Sequence, residues 1–166
     1  MKTLLIVNGP MGVGKSATCR HLLELLQPAA YLDGDWCWNV HPFAVSKESR
    51  RRGMDNIAHL LAGYLDGAAV DAVIFGWVMH RQTIFDELLG GLGDRQFRLQ
   101  RVTLVCSPEV LRARLMADVE AGLRDTDIIA RSLERLAQCA ALDTPKLDVG
   151  TISPEEAARR VAAMIR

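Results

Sequence analysis

The chain has 166 residues, 49% of them hydrophobic, and this length and composition predict a single folded domain spanning residues 1–166 rather than a disordered or multidomain protein. Its 20 basic and 20 acidic residues give a net charge of zero, which argues against a broad nucleic-acid-binding surface but allows a local basic pocket. The four cysteines include no C-x-x-C pair, which argues against a zinc site or a disulfide framework, and no apolar run reaches the length of a membrane span.

The most informative segment is a glycine-rich loop, residues 9–16, that reads GPMGVGKS and fits the pattern G-x-x-x-x-G-K-[ST] at every fixed position. Residues 3–7 before it predict a buried strand, and residues 17–26 after it predict a helix. In that context backbone N–H groups and the helix N-terminus bind a polyphosphate, whereas an isolated match indicates no more than a glycine-rich turn. We therefore expect nucleotide phosphates to contact Gly9, Met11, Gly12, Val13, Gly14, Lys15, Ser16 and Ala17.

Individual roles follow for Lys15, expected to reach the β- and γ-phosphates, and Ser16, whose hydroxyl is expected to ligate Mg²⁺. A second strand, residues 29–32, is followed by Asp33-Gly34-Asp35, and two carboxylates two residues apart on an extended segment point the same way. Because Asp33 is nearer the strand and the metal, we expect it to hold a Mg²⁺ water, and we expect Asp35 to face an acceptor hydroxyl. The alternative is that these three residues form only a turn.

The rest of the chain alternates predicted helices and strands. Five repeats of a strand followed by a helix predict a parallel sheet that is covered on both faces and binds ligands at the carboxyl ends of its strands. The later predicted elements are a helix over 46–67, a strand over 70–75, a helix ending near 92, a strand over 97–105, a helix from Pro108 capped by Ser107, a helix from about 124 to 142, a weak strand over 146–149 and a final helix after Ser153.

Three tryptophans, Trp36, Trp38 and Trp77, fall at predicted strand ends. Trp77 follows Gly76 at the place where a usual Walker B strand carries its aspartate. We expect these rings to line a pocket for an acceptor molecule, although tryptophans can equally belong to the core. His80 lies close to the start of the next helix, where a structural role is the more common one.

Basic side chains cluster in two further places. Arg112, Arg114 and Arg124 bracket a segment around Gly122 that could act as a lid, from which guanidinium groups would neutralise phosphate charge, although arginines on a helix are more often solvated. Residues 47–52 hold one lysine and three arginines, and we interpret this cluster as a solvated helix face.

The loop GPMGVGKS, the D-G-D that follows it, the S-P-E-x-x-x-x-R segment from Ser107 and the arginine-bearing lid together resemble the small P-loop kinases, such as shikimate and gluconate kinases, chloramphenicol phosphotransferase and nucleoside monophosphate kinases. The resemblance covers most of the chain and implies a three-layer α/β/α P-loop NTPase fold with a five-stranded parallel sheet in the order 2-3-1-4-5 and a helical lid. It also implies that Asp33 and Asp35 serve metal and acceptor, that Arg114 stacks on adenine and that Arg124 reaches the phosphates. Gly76-Trp77 replaces the glycine-rich strand end of shikimate kinases, so the acceptor stays open.

These features predict a cytoplasmic, ATP-dependent and Mg²⁺-dependent phosphotransferase for a small-molecule acceptor, with Lys15, Asp35 and Arg124 as catalytic residues and with no membrane partner. One alternative is a nucleotide-gated switch without an acceptor, although the chain lacks the N-K-x-D and D-x-x-G motifs of a GTPase. Another is a nucleic-acid end kinase, for which residues 47–52 are the only support and against which zero net charge argues. No feature of the sequence indicates an oligomeric state.

Overall fold

Five parallel strands form the centre of the molecule in the order β2-β3-β1-β4-β5, as described by a computed structural model of residues 1–165. This order confirms the predicted topology. Register pairs Asp33 with Gly76 and Asn8 with Trp77, so the carboxyl ends of the three strands on one side of the sheet meet at one edge. The strands are β1 Thr3–Asn8, β2 Ala29–Asp33, β3 Ala72–Trp77, β4 Arg98–Val105 and β5 Lys146–Asp148.

Six helices cover the two faces of this sheet. They are α1 Lys15–Leu25, α2 Lys47–Asp66, α3 Gln82–Gly91, α4 Pro108–Glu120, α5 Ile128–Ala140 and α6 Pro154–Met164. Alternate residues of β1 separate two cores, because successive side chains of a strand point to opposite faces. Leu5 and Val7 pack in a core that includes residues of α1, α4, α5 and α6, whereas Leu4 and Ile6 pack in one that includes residues of α2 and α3. Within residues 1–165, no helix is both long and apolar enough to cross a bilayer.

Local sequence signals fix several helix starts. Ser107 accepts a hydrogen bond from the backbone N–H of Val110 and precedes Pro108, and Ser153 caps α6 in the same way. Both predicted starts are therefore confirmed, since a serine oxygen satisfies a backbone donor that the first helical turn leaves free.

Some predicted boundaries differ from the structure, and one element was not predicted. β3 extends through Trp77 rather than ending at 75, because ladder pairing with β1 continues to that residue. α5 begins at Ile128, four residues later than expected, because residues 121–127 form a turn between α4 and α5. A 3₁₀ helix, Gly34–Trp38, follows β2 and was not predicted; Asp33 caps it by accepting a hydrogen bond from the N–H of Asp35 at 3.0 Å.

Candidate active site

The glycine-rich loop connects β1 to α1 and leaves backbone groups facing a cavity. Gly14, the residue before α1, has φ 107°, a left-handed value that an L side chain rarely adopts. The turn at Gly14 starts the helix at Lys15, two residues earlier than predicted. Because the first N–H groups of a helix have no partner within it, this end of α1 is able to bind an anion.

Lys15 is the cation of this loop. Its Nζ donates a hydrogen bond of 2.7 Å to the backbone carbonyl of Pro10. Burial lowers the pKa of Lys15 from its ordinary 10.5 to about 8, and the nearby carboxylate of Asp35 offsets part of that shift. The ammonium is therefore held in a place where its charge is poorly solvated, and a polyphosphate would stabilise it.

Ser16 and Asp33 form the oxygen-rich part of the site. The hydroxyl of Ser16 donates a hydrogen bond of 2.9 Å to Oδ2 of Asp33, and the hydroxyl of Tyr31 donates one of 3.0 Å to the same oxygen. Hard oxygen ligands of this kind fit Mg²⁺, which is usually bound by one or two protein groups together with substrate phosphates and water. No group of three His, Cys, Asp or Glu side chains with metal-binding geometry occurs in residues 1–165. Ser16 and Asp33 have the chemistry to hold such an ion, and this role stays a prediction.

The phosphate cavity, about 270 Å³, brings together most of the residues predicted to bind phosphate, but Gly9 and Val13 are buried and do not line it, and Val13 lines another cavity instead. Lys15, Ser16, Asp33, Asp35 and Arg124 all line it, together with the loop residues Met11, Gly12, Gly14 and Ala17. Asp35 lies at its edge, where Oδ1 accepts a hydrogen bond of 3.2 Å from Nε1 of Trp77. Residues separated by more than 100 positions in sequence thus face one small volume, although their individual roles stay predictions.

Arg124 enters this cavity from the lid segment, residues 121–127. Its Nε donates a hydrogen bond of 3.0 Å to Oδ2 of Asp118, and both side chains are about one-third exposed. Asp118 also lines the cavity. A partly solvated ion pair is weak, so Arg124 can exchange this carboxylate for a phosphate at little energetic expense.

Arg114 lies on the other side of the glycine-rich loop. Its guanidinium donates hydrogen bonds of 3.1 Å to the carbonyl of Val13 and 2.9 Å to the carbonyl of Val149. With residues of the loop and of the α6 start it lines a third cavity, about 240 Å³. These bonds fix the plane of the guanidinium, and its stacking on adenine stays a prediction. Arg112, by contrast, is exposed and lines none of the three cavities.

The aromatic cavity, about 780 Å³, adjoins the phosphate cavity and shares Asp35, Trp77 and Val78 with it. All three predicted tryptophans line the aromatic cavity. Trp38 and Trp77 stack with ring centroids 6.1 Å apart and planes 25° from parallel. The ring of Trp38 packs directly on the backbone of α2 at Gly53, where an added Cβ would lie 2.3 Å from the ring.

Residues 5–136, most of the chain, match the family model described as an AAA domain. The chain belongs to the AAA domain family. No curated protein is significantly similar to it in sequence.

Solved structures share the fold of this AAA-domain chain at low sequence identity. A sugar kinase from Janibacter sp. HTCC2649 has a TM-score of 0.73 and 18% identity, covering 99% of this chain and 95% of that one. The tunicamycin resistance protein of Deinococcus radiodurans has a TM-score of 0.72 and 20% identity, covering 99% and 96%. A gluconokinase from Sinorhizobium meliloti 1021 has a TM-score of 0.69 and 18% identity, covering 98% and 90%. These similarities confirm the fold of the small P-loop kinases.

Two buried polar atoms of the aromatic cavity's side chains have no hydrogen-bond partner within residues 1–165: Nε1 of Trp38 and Nδ1 of His80. Burial lowers the pKa of His80, and Arg135 and Arg81 lower it further, so the imidazole is neutral near pH 7. An unpartnered buried polar atom costs about 1–3 kcal/mol. This end of the AAA-domain chain therefore has polar groups that its own fold does not satisfy.

Three residues that sequence reasoning did not single out support the site. Tyr31 and Asp118 contact Asp33 and Arg124, as described above. Asn8, the buried last residue of β1, accepts a hydrogen bond of 2.7 Å from the N–H of Met79 and donates one of 3.3 Å to Thr103. It thereby ties the start of the glycine-rich loop to the segment after β3 that lines the aromatic cavity. Only Tyr31 had a sequence signal, since it shares a strand face with Asp33 two residues later.

Proposed function

We propose that this protein is an ATP-dependent kinase that transfers the γ-phosphate to a hydroxyl group of a small-molecule acceptor. The observation that carries the proposal is the common wall of Asp35, Trp77 and Val78 between the phosphate cavity and the aromatic cavity. A phosphoryl donor on one side of this wall and an acceptor on the other would meet at Asp35. The kinase folds of the similar structures agree with this reading.

Three residues that line the phosphate cavity have direct roles in that transfer. The acceptor oxygen forms a bond to the γ-phosphorus while the bond from that phosphorus to the β–γ bridging oxygen breaks, so ADP leaves and the hydroxyl proton passes to Asp35 or to solvent. Lys15 and Arg124 stabilise the charge that develops on the transferring group. Asp35, held by Trp77 Nε1, orients the hydroxyl.

Mg²⁺ fits the proposal through Ser16 and Asp33, which would hold it in the phosphate cavity. When bound, the ion neutralises charge on the β- and γ-phosphate oxygens. Tyr31 and Ser16 both donate to Oδ2 of Asp33, which keeps this carboxylate oriented toward the cavity before any ligand arrives.

The test is a phosphorylation screen with γ-labelled ATP and Mg²⁺ across hydroxylated metabolites, nucleosides, antibiotics and 5′-hydroxyl oligonucleotides. We expect ADP formation to rise at least about tenfold over the acceptor-free rate with one small-molecule class, and the label to appear on that compound. Equal turnover with every compound would indicate a nucleotide-gated switch instead. Labelling of oligonucleotide ends alone would indicate an end kinase.

A further inference from the structure

We infer that the phosphate acceptor is a hydroxyl compound that carries both a flat aromatic ring system and an anionic group. The inference rests on the proposed kinase function and specifies the ligand of its acceptor side. It comes from three properties of the aromatic cavity: its size, the arrangement of its rings and the sign of the charges that surround it.

The size and wall of the aromatic cavity fit a ligand with a large apolar body. Its volume of about 780 Å³ lies in the upper part of the range of roughly 300–1,000 Å³ that is typical of small-molecule pockets. Trp36 and Phe43 at this cavity are 59% and 64% exposed, although each buries a large apolar area when covered. Met54 and Ile84 extend the apolar wall. A sugar-sized polar acceptor would leave most of this wall in contact with water.

The ring arrangement favours a ligand with a flat aromatic ring over a ligand that is apolar but not planar. Trp38 and Trp77 stack on each other with planes 25° from parallel, and both residues line the cavity, so its wall includes an aromatic surface. Aromatic pairs in offset-stacked or edge-to-face contact gain about 0.5–1.5 kcal/mol beyond area burial. The indole N–H of Trp77 donates to Asp35, so this surface begins at the carboxylate that the kinase proposal assigns to the acceptor hydroxyl. A ring that stacks here therefore brings a hydroxyl substituent close to Asp35.

The charged side chains that line the aromatic cavity indicate whether its ligand is an anion or a cation. Arg50, Arg81 and Arg135 line the aromatic cavity, against the two acids Asp35 and Glu87. None of the three arginines lines the phosphate cavity, so they are available to a group other than the nucleotide phosphates. Arg135 is the least exposed of the three, at 25%, and its Nη1 donates a hydrogen bond of 2.7 Å to Oε1 of Gln138 and lies 3.9 Å from Glu134.

A cationic ligand would also suit two tryptophans, through cation–π contact. The arginines oppose it. Three arginines and two acids line the cavity, so the charge of its lining is net positive. An anion such as a carboxylate removes that excess charge and can accept paired N–H bonds from a guanidinium. The aromatic cavity therefore suits an acceptor that is an aromatic acid, or an aromatic ester whose acid group still carries a negative charge.

The experiment measures binding by isothermal titration calorimetry with three probes that share one hydroxyl. These are 3-(2-naphthyl)lactate, its uncharged amide and the ring-saturated 3-(decahydro-2-naphthyl)lactate. We expect naphthyllactate to bind about tenfold to a hundredfold more tightly than the amide, as for a hydrogen-bonded charge. It should bind about threefold to tenfold more tightly than the saturated analogue, as for aromatic stacking.

Matched variants locate the anion site. A double variant that carries Arg50→Gln and Arg135→Gln should lose the preference for naphthyllactate over its amide. Arg51→Gln with Arg131→Gln removes the same charge from the same two helices but outside the cavity, and should keep the preference. Each protein is first shown to be folded by circular dichroism and by its affinity for Mg·ATP.

Every outcome decides between the claims. Equal affinity for the acid and the amide overturns the anionic group, and equal affinity for the flat and saturated rings overturns the aromatic one. Binding of none of the probes to a protein that binds Mg·ATP overturns the inferred acceptor class and leaves the kinase proposal standing. A folded protein that fails to bind Mg·ATP would instead overturn the kinase proposal itself.

Discussion

The two cavities at the strand ends are built in opposite ways. On the phosphate side the charged groups already have partners: Lys15 bonds to Pro10, Asp33 to Ser16 and Tyr31, and Arg124 to Asp118. On the aromatic side, Trp38 and His80 each leave a buried nitrogen without a partner in residues 1–165, and large rings stay exposed. A polyphosphate has the same shape in every reaction, so its site can be organised in advance. In the proposed function, the aromatic side would gain its partners from the acceptor.

The largest effect that this contrast predicts is for Lys15→Ala, which should abolish measurable phosphoryl transfer. The fold should survive, because burial already destabilises this ammonium in the free protein. Turnover with the acceptor found in the screen is the measurement, together with thermal unfolding. Lys47→Ala, an exposed lysine at the start of α2, is the control. Full activity in a folded Lys15→Ala protein would show that the phosphate side is not organised around this cation.

Asp35→Asn should lower kcat by roughly two to four decades while the affinity for Mg·ATP stays nearly unchanged, as for a positioned acid–base group. Its carboxylate lies on the wall between the two cavities. Asp33→Asn provides the contrast: it should raise the Mg²⁺ requirement, and excess metal should partly restore activity, because Asp33 bonds to Ser16. The two variants are compared by kcat at saturating metal and by Mg²⁺ titration. Near-normal turnover of Asp35→Asn would remove it from the mechanism.

Arg124→Ala should reduce kcat by about tenfold to a hundredfold, the equivalent of one charged hydrogen bond. ATP affinity should fall less, because the guanidinium acts most strongly as charge develops on the transferring phosphoryl group. Its pairing with Asp118 shows that the side chain is held at the phosphate cavity before the nucleotide arrives. Steady-state kinetics at saturating acceptor measures the effect, with Arg131→Ala as the control. An unchanged kcat would make Arg124 a solvated surface residue.

The sequence predicts the phosphate side far better than the aromatic side, for a physical reason. Phosphate binding requires a tight backbone turn at Gly14 followed by Lys15 and Ser16, and one short segment of the sequence encodes all of these features. The aromatic cavity is assembled from α2, α3, α5 and the segments after β2 and β3, and no spacing in the chain encodes their approach. The tryptophans were identifiable only because strand ends meet at one edge. The sequence pattern does not identify Asn8 or Asp118. Asn8 bonds to Met79 and Thr103, which are distant along the chain, and Asp118 bonds to Arg124 only because the fold brings the two together.

Nucleotide affinity should weaken roughly tenfold between pH 7.5 and 9, since the pKa of Lys15 is lowered to about 8. A polyphosphate binds the protonated lysine, so above that pKa the free protein must first take up a proton. The free protein should show the opposite trend: its stability rises from about pH 8 toward 10.5, because the unfolded chain holds that proton longer. Titration calorimetry with Mg·ATP tests the first trend, and chemical denaturation the second. Lys15→Arg, which stays charged, should flatten both; a pH-independent wild-type affinity would contradict the shift.

The smallest effect concerns two glycines of α2 and tests whether the aromatic side is adaptable. An added Cβ at Gly53 would lie 2.3 Å from the ring of Trp38, whereas at Gly63 it would meet nothing within 4 Å. Gly63→Ala should therefore raise the free energy of unfolding by about 0.5–1 kcal/mol, as for alanine in a helix interior. Gly53→Ala should lower it by about 1–3 kcal/mol through overpacking. We expect the lower part of that range, because Trp38 Nε1 has no hydrogen bond within residues 1–165 to lose when the ring moves.

Denaturant unfolding measures the stability of both variants, and near-ultraviolet circular dichroism measures the packing of the tryptophan rings. If Gly53→Ala matched Gly63→Ala in stability and left the tryptophan signal unchanged, the ring of Trp38 would not rest on this helix.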